Sequence, residues 1–162
     1  METISHLSLR RADEERLVAR FVAWLLAFVP ERETSLARLS QLLYLLDWRL
    51  TQQAGRSFLE LRWQHDGRAV HALDLRRQLE RYPRLILEGE AGRARVRRGA
   101  RKDDRPPPEV AAAAEPYLRF LLAQSPGSLQ RLCLDSFPAS STVAGRPFTL
   151  EDRRAAYTRA RG

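Results

Sequence analysis

Leu42-Leu43-Tyr44-Leu45-Leu46-Asp47-Trp48 lies at the centre of the segment whose reading decides the fold. Around it Leu36, Leu39, Leu42, Leu43, Leu46 and Leu50 recur at three- and four-residue spacing, which predicts a helix with an apolar stripe. Leu45 and Trp48 widen that stripe to nearly the whole circumference, so the helix is expected to be central, with neighbours on both flanks. Thr34 or Ser35 can cap its start, and Gly55 is the residue type that most readily takes the left-handed conformation at a helix end. Asp47 is the one polar residue the pattern leaves unexplained, because a carboxylate in that company is costly unless hydrogen bonds or a cation compensate. Two readings stay open: it caps a neighbouring helix or pairs an arginine, holding the Gly55 to Phe58 turn or the Gly67 turn, or it touches a partner directly.

Working outward, Leu17, Val18, Phe21, Val22, Leu25, Leu26 and Val29 repeat on one face after Asp13-Glu14-Glu15, which predicts a helix that Pro30 stops. Past Gly55, Phe58, Leu59, Leu61 and Trp63 alternate with Glu60, Arg62 and Gln64, the pattern of a short half-exposed strand ending at Asp66-Gly67. A helix with Val70, Leu73, Leu75 and Leu79 inward is expected next, closed by Tyr82-Pro83. Leu85 to Glu88, the turn Gly89 to Gly92, and Arg93 to Arg97 predict a β-hairpin with Arg93, Arg95 and Arg97 on one face and Ala94 and Val96 on the other.

Residues 99–108 form a polar, proline-rich exposed loop, too short to force a second domain. A helix follows to Ala123, with Pro116 acceptable if the regular part begins at Glu115. A shorter helix carries Leu129, Leu132, Cys133 and Leu134 and ends near Phe137-Pro138. A loop from Ala139 to Phe148 leads to a last amphipathic helix from Leu150 to Ala160, with Tyr157 inward. The expected fold class is mainly α with a small β element (α+β): one compact helical domain over residues 1–162, with a short strand and a β-hairpin.

At 162 residues, such a chain buries roughly 70% of its unfolded surface and needs no staple. Cys133 is the lone cysteine, so no intramolecular disulfide forms, and a reducing cytoplasm is the expected location. The first nine residues lack the pattern of a secretory signal, and the apolar run from Phe21 to Pro30 is too short for a bilayer, which needs about 20 residues; no membrane partner is expected.

A formal charge of +8 points to acidic partners such as nucleic acid. Lys102 is the only lysine among 28 basic residues, so coding bias explains part of that charge. Arg93, Arg95, Arg97, Arg98, Arg101, Lys102 and Arg105 nevertheless fall within thirteen residues. They can grip phosphates or an acidic protein surface, or simply solvate an edge strand and discourage sheet-to-sheet association.

Chemistry finds little support. A three-histidine metal site would need His6, His65 and His71 together, and these read more simply as surface residues. Cys133, Ser136, Ser140 and Ser141 lack any nucleophile elbow, and the glycines make no phosphate loop, so no enzyme, metal or cofactor is expected.

Leu39-Ser40-Gln41-Leu42-Leu43-Tyr44-Leu45-Leu46-Asp47-Trp48-Arg49, Gly55-Arg56-Ser57-Phe58 and Leu61-Arg62-Trp63 resemble the signature of SocA-like antitoxins, also called the Panacea domain. Asp66-Gly67-Arg68-Ala69-Val70 resembles that family's Gly-Pro-Val turn, and Ser136-Phe137-Pro138 with Leu150 and Tyr157 its terminal region. Gln41 stands where a lysine is usual, and Arg68 where the turn has proline. The resemblance implies a mostly helical bacterial or phage protein that neutralises a toxin by binding it, without a cofactor. It also implies that Tyr44, Asp47, Trp48, Gly55, Trp63, Gly67 and Pro138 hold a scaffold. Arg93, Arg95, Arg97, Arg98 and Arg101 are then the candidate partner contacts, for a cognate toxin or, alternatively, for nucleic acid.

Overall fold

The computed structural model describes residues 11–83, 85–90, 94–98 and 105–162, with side chains from residue 17 onward. Helix α1 (Arg11–Leu26) ends before Pro30, which opens a 3-10 turn (Pro30–Arg32). Glu31 and Arg32 there hold left-handed backbone at φ 58° and 54° and swing the chain into strand β1 (Glu33–Ser35). Ser35 then caps helix α2 (Leu36–Ala54), its Oγ accepting the Arg38 amide at 3.1 Å. Gly55, at φ 86°, closes α2 with its amide on the Thr51 carbonyl at 2.9 Å, a position where an L side chain would be strained.

The central position expected of α2 is realised: it packs against helices α4 (Pro108–Leu122), α5 (Pro126–Asp135) and α7 (Leu150–Arg161), and against strands β1 and β3 (Val70–Ala72). Leu39, Leu42, Leu43, Tyr44 and Leu46 are fully enclosed. Burying each leucine stabilises the fold by roughly 1.5–3 kcal/mol relative to exposure, which is why propensity alone need not hold this helix. Tyr157 of α7 does face inward, its ring edge-on to Trp48 at 6.0 Å and to Phe137 at 5.1 Å.

Between α2 and α4 the chain departs from the reading above. Residues 58–62 form no strand, although Leu59 and Leu61 are buried and Glu60 and Arg62 exposed, because their backbone is held by a side chain and not by a ladder. The strand is β2 (Trp63–His65), paired antiparallel with β3, so Val70 to Ala72 belongs to a hairpin where a helix was expected. The helix is only α3 (Leu75–Glu80), with Leu75 and Leu79 inward. In the intervening turn Asp66 Oδ1 accepts the amides of Arg68 and Ala69, each at 2.8 Å, and Gly67 takes φ 83°. A proline at position 68 could not donate that bond, so here the departure from the Gly-Pro pattern is compensated by Asp66.

The second hairpin is present as strands β4 (Leu85–Glu88) and β5 (Arg95–Arg98), but β5 is not an edge: β1 pairs on its other side, giving the order β1-β5-β4. The proline-rich loop is shorter than expected, since Pro108 already opens α4 and Pro106 is buried; residues 99–104 lie outside the described chain. Helix α4 continues past Pro116, which is on the solvent side, where water can take the carbonyl its missing amide leaves. After α5, a single helical turn, α6 (Phe137–Ser140), occupies the start of the expected loop, with Pro138 buried in its first turn.

Candidate functional site

Asp47 is fully enclosed, with no exposed surface. Its Oδ2 accepts the Ser57 hydroxyl at 2.7 Å, and its Oδ1 accepts the amides of Phe58 at 2.7 Å and Leu59 at 3.3 Å. These partners fix the turn after Gly55, with backbone amides and a hydroxyl in place of an arginine. Ser57 also accepts the Glu60 amide at 3.0 Å, and Glu60 sits at φ 52°, so the carboxylate and serine together define a tight irregular segment. That segment seats the Phe58 ring against Phe21 of α1 at 5.9 Å, linking α2 to α1 through the core.

Burial pushes the Asp47 carboxyl up to about 6, against the downward pull of the bonds from Ser57, Phe58 and Leu59; the nearby Glu151 adds a smaller upward push. Glu151 itself accepts the Ser57 amide at 3.2 Å from the first turn of α7. Ser57 and Glu151 are the members that sequence reasoning missed. Ser57 carried a local signal, a serine three residues before a glutamate, but nothing short-range announces a contact spanning 94 residues.

Other motif residues join the same framework. The Tyr44 ring meets Trp63 edge-on at 5.2 Å, and its hydroxyl lies 2.6 Å from Ser136 Oγ, which donates to the Cys133 carbonyl. Burial raises the Tyr44 phenol well above its ordinary value and pushes the Cys133 thiol up to about 12, leaving it protonated and inert at neutral pH. Trp48 is packed under Tyr157, and Pro138 supports the turn that carries Ser136. Gly67 stands apart from this group, at the tip of the β2–β3 hairpin.

His65 is buried, correcting its reading as a surface residue: Nε2 is bonded to the Thr142 carbonyl at 2.7 Å, while Nδ1 accepts the Gly67 amide at 3.2 Å. His71 is exposed, and His6 lies outside the described residues. Among the described residues no group of three His, Cys, Asp or Glu side chains could hold a metal ion.

The arginine face is real but compensated. Arg95 and Arg97 project outward from β5 while Ala94 and Val96 are buried, as the alternation required. Arg95 pairs with Glu33 of β1, and Arg97 lies 3.7 Å from Glu88 of β4. Arg98 is half-buried on the opposite face, and Arg93 and Arg101 lie outside the described residues. Such exposed pairs contribute about 0–1 kcal/mol each.

Comparison with known proteins adds no identification: no family model, curated protein or solved structure matches the chain.

Proposed function

We propose that this chain is an antitoxin-like protein that neutralises a toxin by direct protein–protein binding. The observation that carries this reading is the closed state of Asp47: the residue that stands out most in the sequence is wholly engaged in holding the segment after α2. The residues that resemble the SocA-like signature are thus used as a framework, as the resemblance implies for a scaffold whose specificity lies on its surface. Tyr44, Asp47 and Cys133 are each buried in that framework with no surface open to a substrate, which supports a binding protein over a catalyst. Among the described residues no helix is long and apolar enough to cross a membrane, and a cytoplasmic location suits the free Cys133 thiol.

Co-expression with the products of adjacent genes tests the reading. A toxic neighbour should be rescued and should co-purify in a stoichiometric complex; absence of both results removes the proposal. The charge of +8 supports a second reading as a nucleic-acid-binding module. It requires duplex or single-strand affinity at physiological salt above that of a matched basic control, lost on charge reversal at Arg95 and Arg97.

A further inference from the structure

We propose that the solvent side of α4 is a two-fold contact between two copies of this chain, in which Phe120 of each copy seats on Ala112 and Ala113 of the other. The protein-binding reading above does not require this contact. Its starting point is a helix with apolar residues on both sides. Ala114, Leu118 and Leu121 face the core, as an amphipathic helix requires, yet the exposed side carries Ala112, Ala113, Pro116 and Phe120. At roughly 3.6 residues per turn these four fall within about 100° of arc. Charge enters this side only at Glu109 in the first turn and Arg119 at its margin, although charged residues make up 30% of the chain. Arg119 is itself bonded to Glu115 and lies over the Phe28 ring at 5.0 Å.

Phe120 is 49% exposed and still held in place: its ring stacks on Tyr117 at 5.8 Å with 11° between the planes, and the Arg49 guanidinium lies over Tyr117 at 5.7 Å. A large side chain fixed in a pose that faces water is a pre-formed anchor.

The spacing names the occupant. Ala112 and Phe120 lie four residues to either side of Pro116, so a two-fold axis at Pro116, with two α4 helices antiparallel, faces each Phe120 with the other copy's alanines. Two identical large-on-small contacts are the self-complementarity that a two-fold interface needs. The same axis brings Glu109 of each copy within about one turn of Arg119 of the other. Chains of net charge +8 repel one another, and this side, with one exposed acid and one exposed base, carries none of that excess. A nucleic acid would find no cation here except Arg119, already paired, and one phenylalanine among small side chains is too little to hold a lipid surface. The contact is weak, because two helices of 15 residues, about 22 Å long, bury less than the roughly 1,200 Å² of a standard interface. The Ala112 carbonyl that Pro116 frees keeps its water there.

Sedimentation equilibrium of the full chain, from about 10 to 500 µM, reads the association. The parent is expected to show a monomer–dimer equilibrium with Kd on the order of 100 µM. Phe120→Glu and Ala112→Arg, both at exposed positions and each checked for its fold by thermal melting, should weaken it at least about tenfold. Val143→Glu, at a residue 69% exposed in the loop before α7, makes the same charge change as Phe120→Glu and should alter Kd less than about twofold. An equal mixture of Phe120→Glu and Ala112→Arg should recover association, because one contact of the mixed dimer joins the two new opposite charges and the other is native. A parent that stays monomeric throughout, equal losses in Phe120→Glu and Val143→Glu, assembly beyond the dimer, or no recovery in the mixture would each overturn the inference. So would a parent that is monomeric alone and has Phe120 covered by a co-purified protein of another kind. The antitoxin reading stands or falls on its own co-expression result, which none of these outcomes moves.

Discussion

Asp47 and the Arg95/Arg97 pair are the charged features most conspicuous in the sequence, and the structure uses them in opposite ways. Asp47 has no contact with water and three donors aimed at it; the two arginines project from a sheet with water around them and one carboxylate each. A charge out of solvent makes every partner consequential, since losing it strands the rest, whereas a charge in solvent is replaced by water at little cost. The contrast separates framework from surface in a way composition cannot.

The largest effect expected is that of Asp47→Ala, which leaves the Ser57 hydroxyl and the Phe58 and Leu59 amides buried without an acceptor. It should cost about 3–5 kcal/mol in urea unfolding, and a loss near that of an exposed pair would erase the contrast. Next comes pH. The native carboxyl titrates near 6 and the unfolded one near 3.8, so between these values the folded chain holds a proton that the unfolded chain releases. Its contribution is therefore full below the lower value and is lost as pH rises through the upper one. The stability difference between the parent and Asp47→Asn should shift by about 2–3 kcal/mol in the parent's favour from pH 7 to pH 4, measured by unfolding at matched salt.

Ser57→Ala removes one donor to Asp47 and the acceptor for the Glu60 amide, for an expected loss of about 1–3 kcal/mol by the same assay. Gly55→Ala should cost about 1–2 kcal/mol through its left-handed backbone, with the Arg154 guanidinium in ordinary contact with the new methyl. Arg95→Ala and Arg97→Ala should each lose less than about 1 kcal/mol, and that little should vanish in high salt. A loss in either as large as that of Ser57→Ala would mean the sheet depends on its outer face.

Much of this was legible where the determinants are local. The leucine spacing of α2, its Ser35 and Gly55 ends and the alternation of outward Arg95 and Arg97 with inward Ala94 and Val96 are short-range patterns, and each is found where they place it. The failures share a cause. Leu59 and Leu61 alternate with Glu60 and Arg62 as a strand would, and the burial follows, yet the amides of Phe58 and Leu59 go to Asp47. Val70 reads as a helix start because its cross-strand partner, His65, sits across a turn that only Asp66 and Gly67 specify. Strand β1 consists of three ordinary residues that pair with β5 about sixty positions away, a contact no local pattern encodes. For the candidate site, Asp47 was visible as an anomaly, while its supports split: Ser57 lies ten residues on and Glu151 joins from the far end of the chain.

Amide hydrogen exchange at Phe58 tests the central claim, that Asp47 holds an irregular segment as firmly as the core holds a helix. Phe58 lies in no strand or helix, so an unsupported loop amide there would exchange at nearly the free-peptide rate. The account predicts protection comparable to that of the buried amides of α2, lost selectively in Asp47→Ala; fast exchange at Phe58 in the parent protein would contradict it.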